Sequence, residues 1–395
     1  MSSNFNSPEG NLEEYFVTEY QLIDQYIGDT LLTWGYNPFG GLGTNDTTDR
    51  STPVTTFAGG TNWKQVSGAL SATAIKTDGT LWTWGRNTNG QLGINDTTDR
   101  ATPVTTFAGG TNWKQVSAGG YPMAAVKTDG TLWIWGSNIE GRLGTNDTTQ
   151  RNTPVTTFAG GTNWKQVAAG YSHCAAIKDD GTLWTWGRGG EGQLGNNTTT
   201  TKSVPVEVFG NHTNWKQVSA GGSHTAAIKT DGTLWTWGYN NEGQLGINDT
   251  TNRATPVTTF AGGTNWKKVH AGYQSNNAAI KTDGTLWTWG RNAYGNLGTN
   301  DTTQRNTPVT TFAGGTNWKQ ASIGRGQAAA IKTDGTLWTW GNNNYGQLGT
   351  NDNTNRATPV TTFAGGTNWK QVADGHTYFN TIAITSGTDP TFFVS

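Results

Sequence analysis

Between about residues 28 and 388 the chain is a succession of short apolar–polar alternations, broken by clusters of Gly, Asp, Asn and Thr. No stretch of it keeps a helical period. One unit shows the pattern. Trp113-Lys-Gln-Val116 predicts a first strand, A, and Ala124 to Lys127 a second, B. Thr131 to Trp135 predicts C, with Trp133 and Trp135 on one face because side chains alternate along a strand. Pro154 to Phe158 predicts D, opened by a proline that suits an edge strand. Asp129-Gly130, between B and C, is the favoured pair for a two-residue type I′ hairpin.

The unit recurs. Trp-Gly pairs start at Trp34, Trp84, Trp135, Trp186, Trp237, Trp289 and Trp340, at spacings of 50 to 52 residues. Thr-Asn-Trp-Lys keeps the same register, and all 20 tryptophans fall on repeat positions, so their role is packing. Four short strands per unit of about 50 residues fit the blades of a propeller. The first unit, from Gly28, lacks strand B, and the last stops after Ile382-Ala-Ile-Thr385. Each end supplies what the other lacks. The expectation is an all-β, seven-bladed propeller of four-stranded antiparallel blades over 28–388. Pairing of the N- and C-terminal strands closes the ring, with an arm over 1–27 and a tail over 389–395.

Ala220 to Gly246 reads Ala-Gly-Gly-Ser-His-Thr-Ala-Ala-Ile-Lys-Thr-Asp-Gly-Thr-Leu-Trp-Thr-Trp-Gly-Tyr-Asn-Asn-Glu-Gly-Gln-Leu-Gly. This phrase resembles the regulator of chromosome condensation repeat, and the likeness recurs in register seven times. The resemblance implies a seven-bladed propeller whose closure is shared by both termini. It does not imply one function. The wedge that delivers nucleotide exchange in the founding member has no room within these uniform spacings. The basic extensions that bind chromatin are replaced by an acidic N-terminus, where the first basic residue is Arg50. A plant ultraviolet-B photoreceptor of the family carries Gly-Trp-Arg-His-Thr before strand B. Here Gly221-Gly-Ser-His-Thr225 and Gly170-Tyr-Ser-His-Cys174 lack its Trp and Arg. A bacterial β-lactamase inhibitor of similar fold binds through aromatic loops on one face, and that mode suits this chain.

Charge and composition narrow the chemistry. A formal net charge of −1 gives no global field for nucleic acid, so no nucleic-acid partner is expected. Cys174 is alone, which excludes a disulfide framework, and its place at the start of B predicts a buried, inert thiol. No apolar run is long enough to span a bilayer, and the N-terminus lacks a secretion-signal core. None of the five histidines stands at a metal spacing. Gly187-Arg-Gly-Gly-Glu-Gly192 matches a dinucleotide pattern by letter, but no helix follows to receive a pyrophosphate. The recurrent Asn-Asp-Thr-Thr reads as turn chemistry rather than a calcium loop. The expectation is a non-enzymatic protein without cofactor or metal.

In a meander the A–B and C–D loops share one face and the B–C and D–A loops the other. The second face is nearly uniform; the first varies. Its A–B loops carry Tyr121, Met123, Tyr171, His173, Tyr273, Arg325, Tyr378 and Phe379. Its C–D loops carry Tyr36, Phe39, Arg86, Arg142, Arg188, Tyr239, Arg291, Tyr294 and Tyr345. Tyr and Arg on a rigid scaffold are the chemistry of binding hot spots, so this face is expected to take a protein or glycan ligand. In the arm, Tyr15, Phe16, Tyr20, Ile23 and Tyr26 form an apolar set, helical or extended, that reads as an attachment segment. An acidic arm before so uniform a propeller also resembles proteins encoded by marine bacteriophages. That resemblance implies a virion component, on a tail appendage or capsid surface, held to other virion proteins through the arm and serving host recognition. The alternative is a free cytoplasmic or secreted binding module such as an inhibitor.

Overall fold

The computed structural model describes residues 28–68, 71–374 and 379–387. The arm residues, Tyr378 and the tail therefore lie outside the described residues. The rest forms seven four-stranded antiparallel sheets. Blade 2 is representative: A is Trp63–Gly68, B Ser71–Lys76, C Leu81–Gly85 and D Arg100–Thr105. Strands A of neighbouring blades touch all the way round the ring, so A lines the axis and D the perimeter.

Blade 1 is built from both ends of the chain. Asp29–Gly35 pairs on one side with Arg50–Thr55 and on the other with Asn380–Ser386, which in turn pairs with Trp369–Asp374. The contact between the two ends runs in unbroken register from Asp29 opposite Ser386 to Gly35 opposite Asn380. The expected closure is realised.

The core lies between blades. Trp63, Val66, Ala72, Ala74 and Trp84 of blade 2 pack on Leu31, Ile382 and Ile384 of blade 1, while Ile75 and Leu81 on its other face meet Trp113, Val116 and Trp135 of blade 3. Alternation along each strand therefore feeds two interfaces, and no blade has a core of its own. Polar ties follow the same route. Trp34 Nε1 donates to the Gln347 carbonyl of blade 7 at 2.9 Å, and Trp84 Nε1 to the Gly41 carbonyl of blade 1 at 3.0 Å. Around the axis, Gln115 Nε2 donates to the Val167 carbonyl (2.9 Å) while its Oε1 accepts from the Val167 N–H (3.0 Å); glutamines of other blades repeat this bridge. At each Ile-Lys step the ammonium sits between two indoles. Lys76 Nζ lies 4.7 Å from the Trp63 ring and 4.3 Å from Trp82.

Two local expectations change. The B–C connection is a three-residue loop, Thr77-Asp78-Gly79, in which the Gly79 N–H donates to the Lys76 carbonyl (3.0 Å) and the Lys76 N–H to the Thr80 carbonyl (3.1 Å). Only the glycine has a positive φ, 79°, whereas a type I′ turn needs two such residues. The glycine is obligatory for a second reason: a Cβ there would lie 2.0 Å from the Thr111 carbonyl oxygen. Strand D also starts earlier than the proline, at Arg151–Thr156 in blade 3, with Pro154 inside it beside a register shift. The outermost strand has a free edge, so the missing N–H costs no ladder bond. Phe158 then falls outside D and is exposed.

Candidate functional site

The C–D loops are held from beneath by one buried asparagine. In blade 2, Asn87 Nδ2 donates to the Asp96 carbonyl and Oδ1 (both 3.0 Å), and Asn87 Oδ1 accepts the Leu92 N–H at 2.9 Å. Asp96 accepts the Thr98 N–H and pairs with Arg100 at 2.6 Å. The Asn-Asp-Thr-Thr oxygens are thus committed to their own turn. Hydrogen bonds from the Thr98 N–H and Arg100 hold the Asp96 carboxyl below its usual range. In blade 4 the asparagine is replaced by Gly189, whose Cβ position would fall 2.4 Å from the Thr200 carbonyl, so that loop has collapsed inward.

On this base the loop tips meet across blade boundaries. Tyr121, Tyr171 and Tyr273 run together over the axis: ring centroids are 4.8 Å and 4.9 Å apart, and the Tyr171 and Tyr121 hydroxyls are hydrogen-bonded at 3.1 Å. The hydrogen bond to Tyr171 raises the Tyr121 phenol, and burial raises that of Tyr171, so both stay neutral donors. Beside them, between blades 4, 5 and 6, lies an open cavity of about 350 Å³. Tyr171, Arg188, Tyr239, Tyr273 and Arg291 line it together with Glu242. Arg188 is half-buried, 3.8 Å from both Glu140 and Glu191.

A second sector forms where the ring closes. Tyr36 lies 4.3 Å from Tyr345, Tyr345 stacks on Phe379 at 5.4 Å, and the Arg325 guanidinium covers Phe379 at 5.2 Å. Arg86 lies over Phe39 at 5.0 Å, and the Tyr294 ring abuts Gly326.

Three expected face residues lie inside. Met123 is fully buried in the interface between blades 2 and 3. His173 is also fully buried, with Nε2 2.9 Å from Thr225 Oγ1 of the next blade. Burial, aided by His224, pushes its pKa down to about 3, so the ring is neutral. Each occupies the first or second position of strand B, which points between blades rather than outward. Arg142 is buried too, stacked 5.1 Å from Tyr121 and donating to the Ile139 carbonyl at 2.7 Å. It stands where Gln91 and Gln193 stand in blades 2 and 4, whose carbonyls accept from the next blade's indole. At this junction Trp186 Nε1 finds no acceptor among the described residues. Cys174 is buried and its pKa is raised to about 12, mainly by desolvation, as suits an inert thiol. The sequence reading missed Glu242, Ser223 and Ser275, which line the cavity with Gln274 from the same loops as the tyrosines. Their loop membership was the available signal.

Geometry of this kind offers aromatic faces, two guanidinium groups and phenol donors, which is recognition chemistry. The family model of the RCC1-like domain matches residues 30–381. The chain belongs to that family. Among curated relatives of this RCC1-like chain, the Ultraviolet-B receptor UVR8 of Arabidopsis thaliana is 35% identical over 234 residues, 58% of this chain and 53% of that protein. The probable E3 ubiquitin-protein ligase HERC4 of Homo sapiens is 30% identical over 238 residues, again 58% of this chain but 22% of that protein. The match thus spans about half of the receptor and a smaller part of the ligase. Among solved structures, yeast RCC1 (Prp20), crystallised with Kap60, superposes with a TM-score of 0.79 at 19% identity, covering 99% of this chain and 96% of that one. That likeness shows the shared fold. Among the described residues no helix is long and apolar enough to cross a membrane.

Proposed function

We propose that this RCC1-like propeller is a non-enzymatic protein-binding module that takes its partner on the variable face, over the cavity between blades 4, 5 and 6. The convergence of Tyr171, Tyr239, Tyr273, Arg188 and Arg291 on one open cavity carries this reading. Three phenols supply apolar area with a polar tip, and two guanidiniums favour a carboxylate-bearing segment of the partner. The relatives reported above carry regulatory names, and one was crystallised with a protein partner. These matches support the free binding module and give no support to the virion component. A glycan ligand fits the same aromatic cavity less well, because two arginines are an excess of charge for a neutral sugar.

The test is comparative recovery from the native source. Parent protein should retain a stoichiometric partner that a Tyr171→Ala/Tyr239→Ala/Arg291→Ala variant of equal thermal stability loses. Equal recovery by both would place the binding surface elsewhere.

A further inference from the structure

Positive charge divides between the two ends of the ring by residue type. All 11 arginines and Lys202 stand in the variable loops or at the first residue of a strand D. The other 14 lysines stand at the uniform end, where strands A and C begin and B and D finish. Seven of them, Lys64 and its equivalents through Lys370, are exposed second residues of strand A. Six more, Lys76 and its equivalents, close strand B, and Lys268 follows Lys267 in blade 6. The Lys370 ammonium reaches Asp29 at the start of strand C, so that side chain lies across the face. The same end holds nine carboxylates, those of the B–C turns with Asp29 and Glu207, which leaves an excess of five positive charges.

The face is also apolar at regular places. Each D–A loop carries one phenylalanine, Phe57 and its equivalents through Phe363, 53 to 66% exposed. Among the described residues none of these rings belongs to an inter-blade core. The loop closes without the ring, through the Gly59 N–H donating to the Thr56 carbonyl at 3.0 Å.

The chain enters the propeller on this face. Gly28 and Gly387 stand where the other blades have the B–C turn, and the Gly387 N–H donates to the Gly28 carbonyl at 2.9 Å. Gly28 lies so near the D–A loop that a Cβ would fall 2.1 Å from the Thr61 carbonyl oxygen. Residues 1–27, before it, contain Glu9, Glu13, Glu14, Glu19 and Asp24 and no lysine or arginine. Their five acids equal the excess of charge on the face, and Tyr15, Phe16, Tyr20, Ile23 and Tyr26 are interspersed with them. Extended, 27 residues reach up to ~90 Å, beyond the ~50 Å width expected of a folded chain of this length. The residues after Gly387 leave from the same place with one acid, Asp389, and match the face less well.

We propose that the uniform face is a docking surface for the chain's own N-terminal segment, residues 1–27, with its acids against the lysines and its aromatic residues among the exposed phenylalanines. Attachment at Gly28 makes the docking intramolecular. A tether this short gives an effective concentration on the order of millimolar, so contacts that are individually weak suffice. Ion pairs between exposed groups are screened by salt, and the docking is salt-sensitive for that reason. The cavity between blades 4, 5 and 6 opens on the other face, so the docked segment leaves it accessible.

Zero-length carbodiimide cross-linking of the full chain tests this, mapped by peptide mass spectrometry on an equal mixture of unlabelled and heavy-nitrogen-labelled protein. Glu9, Glu13 and Glu14 should form amide links to Lys64 and its equivalents within single chains, and none to Lys202. The links should fall ~5-fold or more between low salt and ~0.5 M salt. Glu13→Lys/Glu14→Lys/Glu19→Lys keeps Glu9 as a reporter, whose links should fall ~5-fold or more with the melting temperature unchanged. Phe57→Ser/Phe363→Ser, in the loops flanking blade 1, should lower the parent's links ~2-fold or more. Links confined to Asp24 or Asp389, or as frequent to Lys202, would overturn the proposal. So would links between labelled and unlabelled chains in place of links within one chain, which would make the occupant a second copy.

Discussion

On one face of the ring the Thr-Asp-Gly-Thr turn recurs almost letter for letter, while loops at equivalent places on the other carry Tyr171, Ser223, Gln274 or Arg325. The two faces descend from the same seven units, so the difference reports what each position must do. In the uniform turns every residue answers to a neighbour. Gly79, Gly130 and Gly181 leave no room for a Cβ, which would lie within 2.1 Å of a carbonyl oxygen in the following D–A loop. Asp78 closes on Thr80, and Thr80 Oγ1 in turn accepts the Trp82 indole N–H at 2.9 Å. In the variable loops such constraints are collected into one residue below the surface, Asn87 in blade 2, and the tips above it meet mainly one another across blade boundaries.

The comparison breaks most visibly in the scaffold that both faces share. Trp84→Ala should cost roughly 3–5 kcal/mol in chemical denaturation, because the indole is fully buried and hydrogen-bonded into blade 1. A near-neutral result would refute the inter-blade core. Next comes Asp374, buried in blade 1 where the same position is Gly, Ala or Ile in the other blades. Desolvation raises its pKa from 3.8 to about 7. Between those values the unfolded chain releases the proton and the folded chain keeps it. Stability should therefore fall from about pH 4 to about pH 7, then level off, by an amount on the order of a few kcal/mol. Asp374→Asn should flatten that slope in melts across the range; an unchanged slope would assign it to another group.

Smaller effects separate the faces themselves. Asn87→Ala should cost roughly 1–3 kcal/mol by orphaning the Leu92 N–H and loosening the loop. Gly189→Ala is expected to destabilise as well, since blade 4 has filled that space with its own backbone. Tyr239→Ala, at a tip, should change stability by no more than about 0.5 kcal/mol while weakening partner recovery, as checked by melting and by the comparative capture above. A large stability loss there would make the tyrosine scaffold.

The blade count and the closure were legible because the tryptophan spacing and the missing strand B at Gly28 are properties of the chain itself. The Asp-Gly turn was misread for a physical reason: two-residue and three-residue loops use the same letters, and only φ at Asp78 distinguishes them. On the upper face, Tyr239 and Arg291 were legible as departures from the repeat. Met123 and His173 depart from it equally, yet they point into a neighbouring blade, and that neighbour is about 50 residues away in sequence. Departure from a repeat marks either a tip or an interface, and the register of strand B decides which.

Blade 1 sets the order in which the molecule can be completed. Asp29–Gly35 and Arg50–Thr55 are made before the other six blades, and their partners, Trp369–Asp374 and Asn380–Ser386, after them. For most of synthesis Leu31 and Leu32 have no sheet beside them, and the nascent chain is an open arc with an uncovered edge at each end. Six blades can stack as they emerge. The seventh waits, so blade 1 is completed by a long-range pairing of distant segments that seals its interfaces with blades 2 and 7 together.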